Sequence, residues 1–192
     1  MSFNLFLTVS GVTGESVQRA HEGQIELSSW NLGVHNHAMA GPGGGGKVGK
    51  AQWDELIVTM PTTAALPQFM GLCASGQHVE QAVLTAESVG DARFVWLRLT
   101  VSDVVVTSVG TAASSPDDLA EDEVALTFGS ILLEKFSQND DRTPGDPVTF
   151  AWSVRKNRAP KASGSKASGS KASGSRGRSE ERRVGKECRL LC

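Results

Sequence analysis

Residues 25–34 read Ile25-Glu26-Leu27-Ser28-Ser29-Trp30-Asn31-Leu32-Gly33-Val34, and the alternation within them decides the fold. Ile25 and Leu27 are apolar and Glu26 and Ser28 are polar, the period-two pattern of a half-buried strand. The apolar phase then moves to Trp30, Leu32 and Val34. A one-residue slip at Ser28-Ser29 is what a β-bulge produces, and it predicts one long strand that bends from one packed face to another.

The same period runs outward in both directions. Phe3, Leu5, Leu7 and Val9 alternate with Asn4, Thr8 and Ser10, and Leu56, Val58 and Met60 repeat the pattern. Arg93 to Val109 is a long β-branched run with Val95, Leu97, Leu99 and Val101 on one side. Val124, Leu126 and Phe128 precede a second phase slip at Gly129, into Ile131 and Leu133. The cleanest alternation is the last, Val148, Phe150, Trp152 and Val154, launched by a Thr143-Pro-Gly-Asp-Pro turn. Seven or eight strands, two of them bent, predict a mainly β fold: an antiparallel β-barrel of two packed sheets. One segment departs from it. Leu66, Phe69, Met70 and Cys73 stand at i, i+3, i+4 and i+7, one face of a short lateral α-helix. Thr63 is its expected N-cap and Gly76 its stop. Cys73 then lies on the buried stripe as a small hydrophobe rather than a reactive thiol.

Composition bounds the rest. The chain has 192 residues, 39% of them hydrophobic, with 19 Lys plus Arg against 21 Asp plus Glu. No window approaches the roughly 18 uninterrupted apolar residues of a membrane helix, and residues 1–10 lack the basic and apolar regions of a signal peptide. Membrane insertion and signal-peptide export are therefore not expected. Residues 159–192 carry nine bases and three acids, a net of +6, which leaves ten bases and eighteen acids, a net of −8, on residues 1–158. An acidic body argues against nucleic acid as a partner, because that affinity comes from clustered Lys and Arg. Cys73 is the one thiol of the body, so its stability must come from the core alone.

The expected organisation is a domain over 1–158, a linker over 159–175 and a non-native tail over 176–192. Lys161 to Ser175 is three copies of Lys-Ala-Ser-Gly-Ser, which offers nothing to bury. Arg178-Ser-Glu-Glu-Arg-Arg-Val-Gly-Lys-Glu-Cys-Arg189 looks like the translation of a sequencing-library adapter, so Arg176 to Cys192 are set aside from functional argument.

Motifs for chemistry are sparse. Gly41-Pro-Gly-Gly-Gly-Gly46-Lys47-Val48 nearly spells a phosphate loop, but Val48 has no hydroxyl for Mg²⁺ and no periodic helix follows. His35 and His37 would share one side of an extended strand but lack a third ligand at zinc-like spacing. His21 and His78 are isolated and are expected to make local hydrogen bonds. Asp54-Glu55, Asp117-Asp118, Glu121-Asp122-Glu123 and Asp140-Asp141 mostly sit among Ser, Pro, Asn or Arg, as in solvated loops. No Ser/His/Asp set or Gly-x-Ser-x-Gly elbow is present. No catalytic, cofactor-binding or metal-binding residue is assigned, no cofactor is expected, and the chain is not expected to be an enzyme.

Gly14-Glu-Ser after the first strand, followed by His21-Glu-Gly-Gln-Ile-Glu-Leu-Ser-Ser-Trp30, resembles the start of the haemolysin-coregulated protein (Hcp) family, the tube proteins of bacterial type VI secretion systems. The order of elements is similar too, through the helix near Leu66 to Ala74 and the Val124-Ala-Leu-Thr-Phe-Gly-Ser-Ile stretch. The likeness covers about residues 1–158, and the oligoglycine in the 36–52 loop departs from the family pattern. The resemblance implies a β-barrel with a lateral helix, six copies in a ring, and rings stacked into a hollow tube that can hold effectors. It implies self, sheath, spike and effector proteins as partners, and a cytoplasmic protein that is secreted through the apparatus without a signal peptide. On this reading the Asn36 to Gln52 loop reaches an adjacent ring, since glycine permits close backbone approach. The alternative is a monomeric β-sandwich module that stacks a glycan or peptide on an exposed Trp30 or Trp53.

Overall fold

The computed structural model describes residues 3–36, 49–90, 93–113, 120–138 and 145–160, all within the unit Met1–Lys161. The Gly41–Gly46 run, His37, Lys47, Val48, Asp117, Asp118, Asp140, Asp141, Thr143, Pro144 and the tail lie outside the described residues.

The strands are β1 (Phe3–Val9), β2 (Ile25–Glu26), β3 (Ser29–Asn31), β4 (Val34–Asn36), β5 (Ala51–Trp53), β6 (Leu56–Pro61), β7 (His78–Ser88), β8 (Phe94–Ala112), β9 (Glu121–Lys135) and β10 (Val148–Ser153), with helix α1 (Ala65–Ser75) between β6 and β7. Eight strands form one antiparallel sheet in the order β2-β1-β7-β8-β9-β6-β3, with β10 also on β9. The two ends of that order are consecutive in the chain. Leu27 N–H donates to Leu5 O at 3.0 Å and Ser28 N–H donates to Thr59 O at 2.8 Å, so within two residues the chain leaves β1 and joins β6. The slip at Ser28-Ser29, expected as a β-bulge in one long strand, is instead a break between two short strands with different partners, and it curls the sheet into a half-barrel around the core.

The second slip is also a change of partners. β9 pairs with β6 from Glu121 to Leu126 and with β10 from Ser130 to Lys135. Between them Phe128 and Ile131, three apart, are both buried. The expected mainly β, antiparallel fold with one lateral helix is thus what the chain adopts, as a sheet curled into a half-barrel. Leu7, Val58, Met60, Leu84, Leu99, Val101 and Leu126 are wholly buried between its walls.

Three local expectations are corrected. His78–Ser88, assigned no strand from its sequence, is β7 and lies between β1 and β8. Its buried apolar residues are Val79, Ala82, Leu84 and Ala86; alanines give little hydrophobic contrast, and the spacing breaks between Val79 and Ala82. The helix is turned about its axis. Ala65 and Phe69 are buried, Leu72 and Cys73 pack at the margin of the core, and Met70 is 43% exposed. Cys73 is half-buried, not buried. The N-cap residue is Ala64 rather than Thr63; Thr63 Oγ1 still accepts the Ala65 N–H at 3.3 Å, and Glu15 Oε1 accepts the Ala64 N–H at 3.2 Å. Gly76 ends the helix in the left-handed region, as expected, and its N–H bonds Cys73 O. Third, β10 alternates cleanly but is an edge strand, with Val148 77% and Phe150 44% exposed.

Candidate functional site

The segment between β1 and β2 folds back on the outer wall. Gly14 N–H donates to Gly23 O at 2.8 Å, and Gly23 N–H donates to Ser16 O at 2.9 Å. A Cβ on Gly14 would lie 2.2 Å from Gln24 O, so this approach requires glycine. The fold-back sets the His21 ring flat on Phe6, with centroids 3.8 Å apart and planes 6° apart. His21 Nδ1 meets Gln24 Oε1 at 3.0 Å and Nε2 meets Glu87 Oε2 at 3.1 Å. His21 and Glu87 are both buried. Sequence places His21 among local bonds only; Glu87, 66 residues away, is the partner it could not show.

His35 and Asp54 bond at 2.9 Å, both exposed, at the foot of the β4–β5 hairpin. That hairpin pairs Val34 with Trp53 and Asn36 with Ala51, so Asn36 and Gln52, the expected ends of a loop, are strand residues, and residues 37–48 between them lie outside the described residues. Trp53 anchors its base against Phe128 and Phe150, each ring 6.0 Å away. Trp30 is half-buried against the core. The acidic run 121–123, read as a solvated loop, begins β9. Asp122 there is wholly buried and accepts the Thr62 hydroxyl at 2.8 Å, because alternation turns it inward between Glu121 and Glu123.

A third cluster had no sequence assignment. Asp103, in β8, has a left-handed φ of 58°. Its carboxylate accepts from His78 Nδ1 at 3.0 Å and pairs with Arg155. A Cβ on Gly129 would lie 2.7 Å from Asp103 Oδ2, and Gly129 O accepts the Val154 and Arg155 N–H groups. The turn after β10 is therefore clasped to β8 and β9. The available signal was an Asp inside a valine-rich strand, a residue type that tolerates positive φ.

None of these groups forms a reaction centre among the described residues. No described histidine bonds a Ser, Thr or Cys side chain, and no group of three or more His, Cys, Asp or Glu is disposed to hold a metal ion. No described helix is long and apolar enough to cross a membrane. What the surface does offer is contact area. Phe3 and Val89 are exposed at one end of the sheet, and Val34, Val148 and Phe150 are exposed along the free edge of β10 and at the hairpin base. A recess of about 340 Å³ on the outer wall is lined by Gln81, Thr100, Ser102, Ser130, Ala151 and Trp152, among others.

Comparison with known proteins gives the family. Residues 6–134 match the family model described as type VI secretion system effector, Hcp. Protein hcp1 of Pseudomonas aeruginosa is 31% identical over 159 residues, which cover 82% of this chain and 98% of that protein. Among solved structures, Hcp1 from Salmonella typhimurium is similar with a TM-score of 0.70 at 25% identity, over 83% of this chain and 100% of that one. A structure described as a type six secretion system protein reaches a TM-score of 0.77 at 20% identity, with the same coverage.

Proposed function

The chain belongs to the Hcp family of type VI secretion system proteins, and on that premise we propose that it is a structural tube subunit: six copies close into a ring and rings stack into the inner tube of the contractile machine. The observation that carries this reading is the full-length match. The chain covers 98% of an Hcp protein and the family model spans residues 6–134, which supports taking residues 1–158 as the tube domain. The physical logic supports it. A free strand edge with exposed Val148 and Phe150 is an aggregation hazard in a monomer, and a head-to-tail contact that closes turns it into a defined interface.

Self, sheath, spike and effector proteins are the proposed partners, and the protein is cytoplasmic before it is secreted through the apparatus. The hairpin-borne 36–52 loop is proposed to reach an adjacent ring. Residues 159–175 serve as a linker and 176–192 as a non-native tail in this scheme. Native mass spectrometry tests it: a six-fold multiple of the protomer, seen as annular particles by negative stain, is expected. A monomer whose tryptophan fluorescence is saturably quenched by glycans would overturn it in favour of a binding module.

A further inference from the structure

The outer face of the β3-β6-β9-β8 wall carries two exposed acids, Glu121 and Glu123. In register, Ser29 lies beside Thr59, Thr59 beside Glu123 and Glu123 beside Gly110. One step along, Pro61, Glu121 and Ala112 form the next row, and cross-strand partners share a face. Glu121 and Glu123 are both exposed, two apart on one strand, and neither forms an ion pair among the described residues. No lysine or arginine stands in these rows.

The complementary feature is the turn Arg155-Lys156-Asn157-Arg158. Its bases are exposed, and Lys156 and Arg158 have no described carboxylate partner. The turn is held firmly. Ser153 and Arg158 exchange backbone hydrogen bonds at 2.9 and 3.3 Å, Asn157 takes a φ of 46°, and Arg155 is tied to Asp103. A turn fixed on both sides presents its charges with little ordering cost. Within one copy it cannot reach the acidic rows. It is anchored at Gly129 O, six residues along β9 from Glu123, or roughly 20 Å at about 3.3 Å per strand residue.

We propose that the face carrying Glu121 and Glu123 docks the Lys156/Arg158 turn of a second copy of the chain. Two different, charge-complementary patches make a heterologous contact, the kind that closes rings or propagates stacks, and opposite charges fix its register. The proposal rests on the tube reading and names the surfaces that reading needs.

The test uses the full chain in four forms: wild type, Glu121→Lys/Glu123→Lys, Lys156→Glu/Arg158→Glu, and all four substitutions together. All sites are exposed, and coincident melting curves establish that each variant is folded. Native mass and negative stain at graded concentrations then give the midpoint of assembly. Each double reversal is expected to raise that midpoint roughly tenfold or more, the effect of about 1.4 kcal/mol, and the quadruple swap to return it close to wild type. Wild-type rings indifferent to both reversals, or a folded quadruple variant that fails to recover, overturn the contact while leaving the tube reading in place. A wild-type chain monomeric at every concentration removes both.

Discussion

Gly14 is the residue on which the β1–β2 fold-back turns, and its requirement is steric. Because a Cβ there would sit 2.2 Å from a backbone oxygen, Gly14→Ala must push the segment off the wall. Overpacking of this kind costs about 1–3 kcal/mol, and a domain of this size loses about 2–4 °C per kcal/mol. Circular dichroism should show the melting temperature fall by roughly 3–10 °C, and an unchanged melt would refute the close approach. In that segment, His21 provides the one hydrogen bond made to the buried Glu87 carboxylate among the described residues, where its Oε1 has no partner. His21→Ala leaves the carboxylate buried and alone, an arrangement that costs about 3–5 kcal/mol. Glu87→Gln removes the charge and keeps a hydrogen-bonding amide. Urea denaturation should rank His21→Ala clearly less stable than Glu87→Gln, and the reverse order would show that the pair is not what holds the fold-back. The sequence shows both residues but not their meeting, since 66 residues separate them. It also shows Asp122 but reads it as solvated, because acidity outweighs alternation when a run is judged by composition.

At the scale of elements, strands whose apolar residues are large and evenly spaced are legible from sequence: β1, β6, the middle of β8 and the two halves of β9. Both phase slips are legible as well, since each is a change of partner written as a change of parity. β7 is not, because two of its four buried apolar side chains are alanine and its spacing is irregular. The β10 stripe is legible as alternation but not as exposure, because periodicity says which residues share a side and not what covers it. Helix α1 shows the same limit. A four-residue stripe fixes its face only to within a fraction of a turn, and packing on the core buries Ala65 and Phe69 while leaving Met70 exposed. The rotation predicts a contrast: Phe69→Ala empties a fully buried position and should cost about 3–5 kcal/mol, whereas Met70→Ala, at an exposed position, should stay within about 0.5 kcal/mol. Equal losses in chemical denaturation would return the helix to the face read from sequence.

For the whole molecule, curling the sheet depends on two adjacent backbone groups, Leu27 N–H on one wall and Ser28 N–H on the other. Ile25 and Leu27 beside them are buried in the core that both walls share, so the bend is held by backbone and packing together, and the share of each can be tested. Ser28 is exposed, which makes it a clean place to test the step, because its side chain contributes little to packing. Ser28→Pro deletes the N–H that bonds Thr59 O and leaves that carbonyl wanting, a cost of about 1–3 kcal/mol; Ser28→Ala keeps the N–H and should lie within about 0.5 kcal/mol of wild type. If wall orientation governs assembly, Ser28→Pro should lose rings by native mass even at temperatures where circular dichroism shows it folded, because a protomer whose walls splay cannot offer two patches at the angle a closed circle demands. A proline variant that melts and assembles like the alanine variant would mean the walls are oriented by the core alone, and the hydrogen bonds at the bend merely follow.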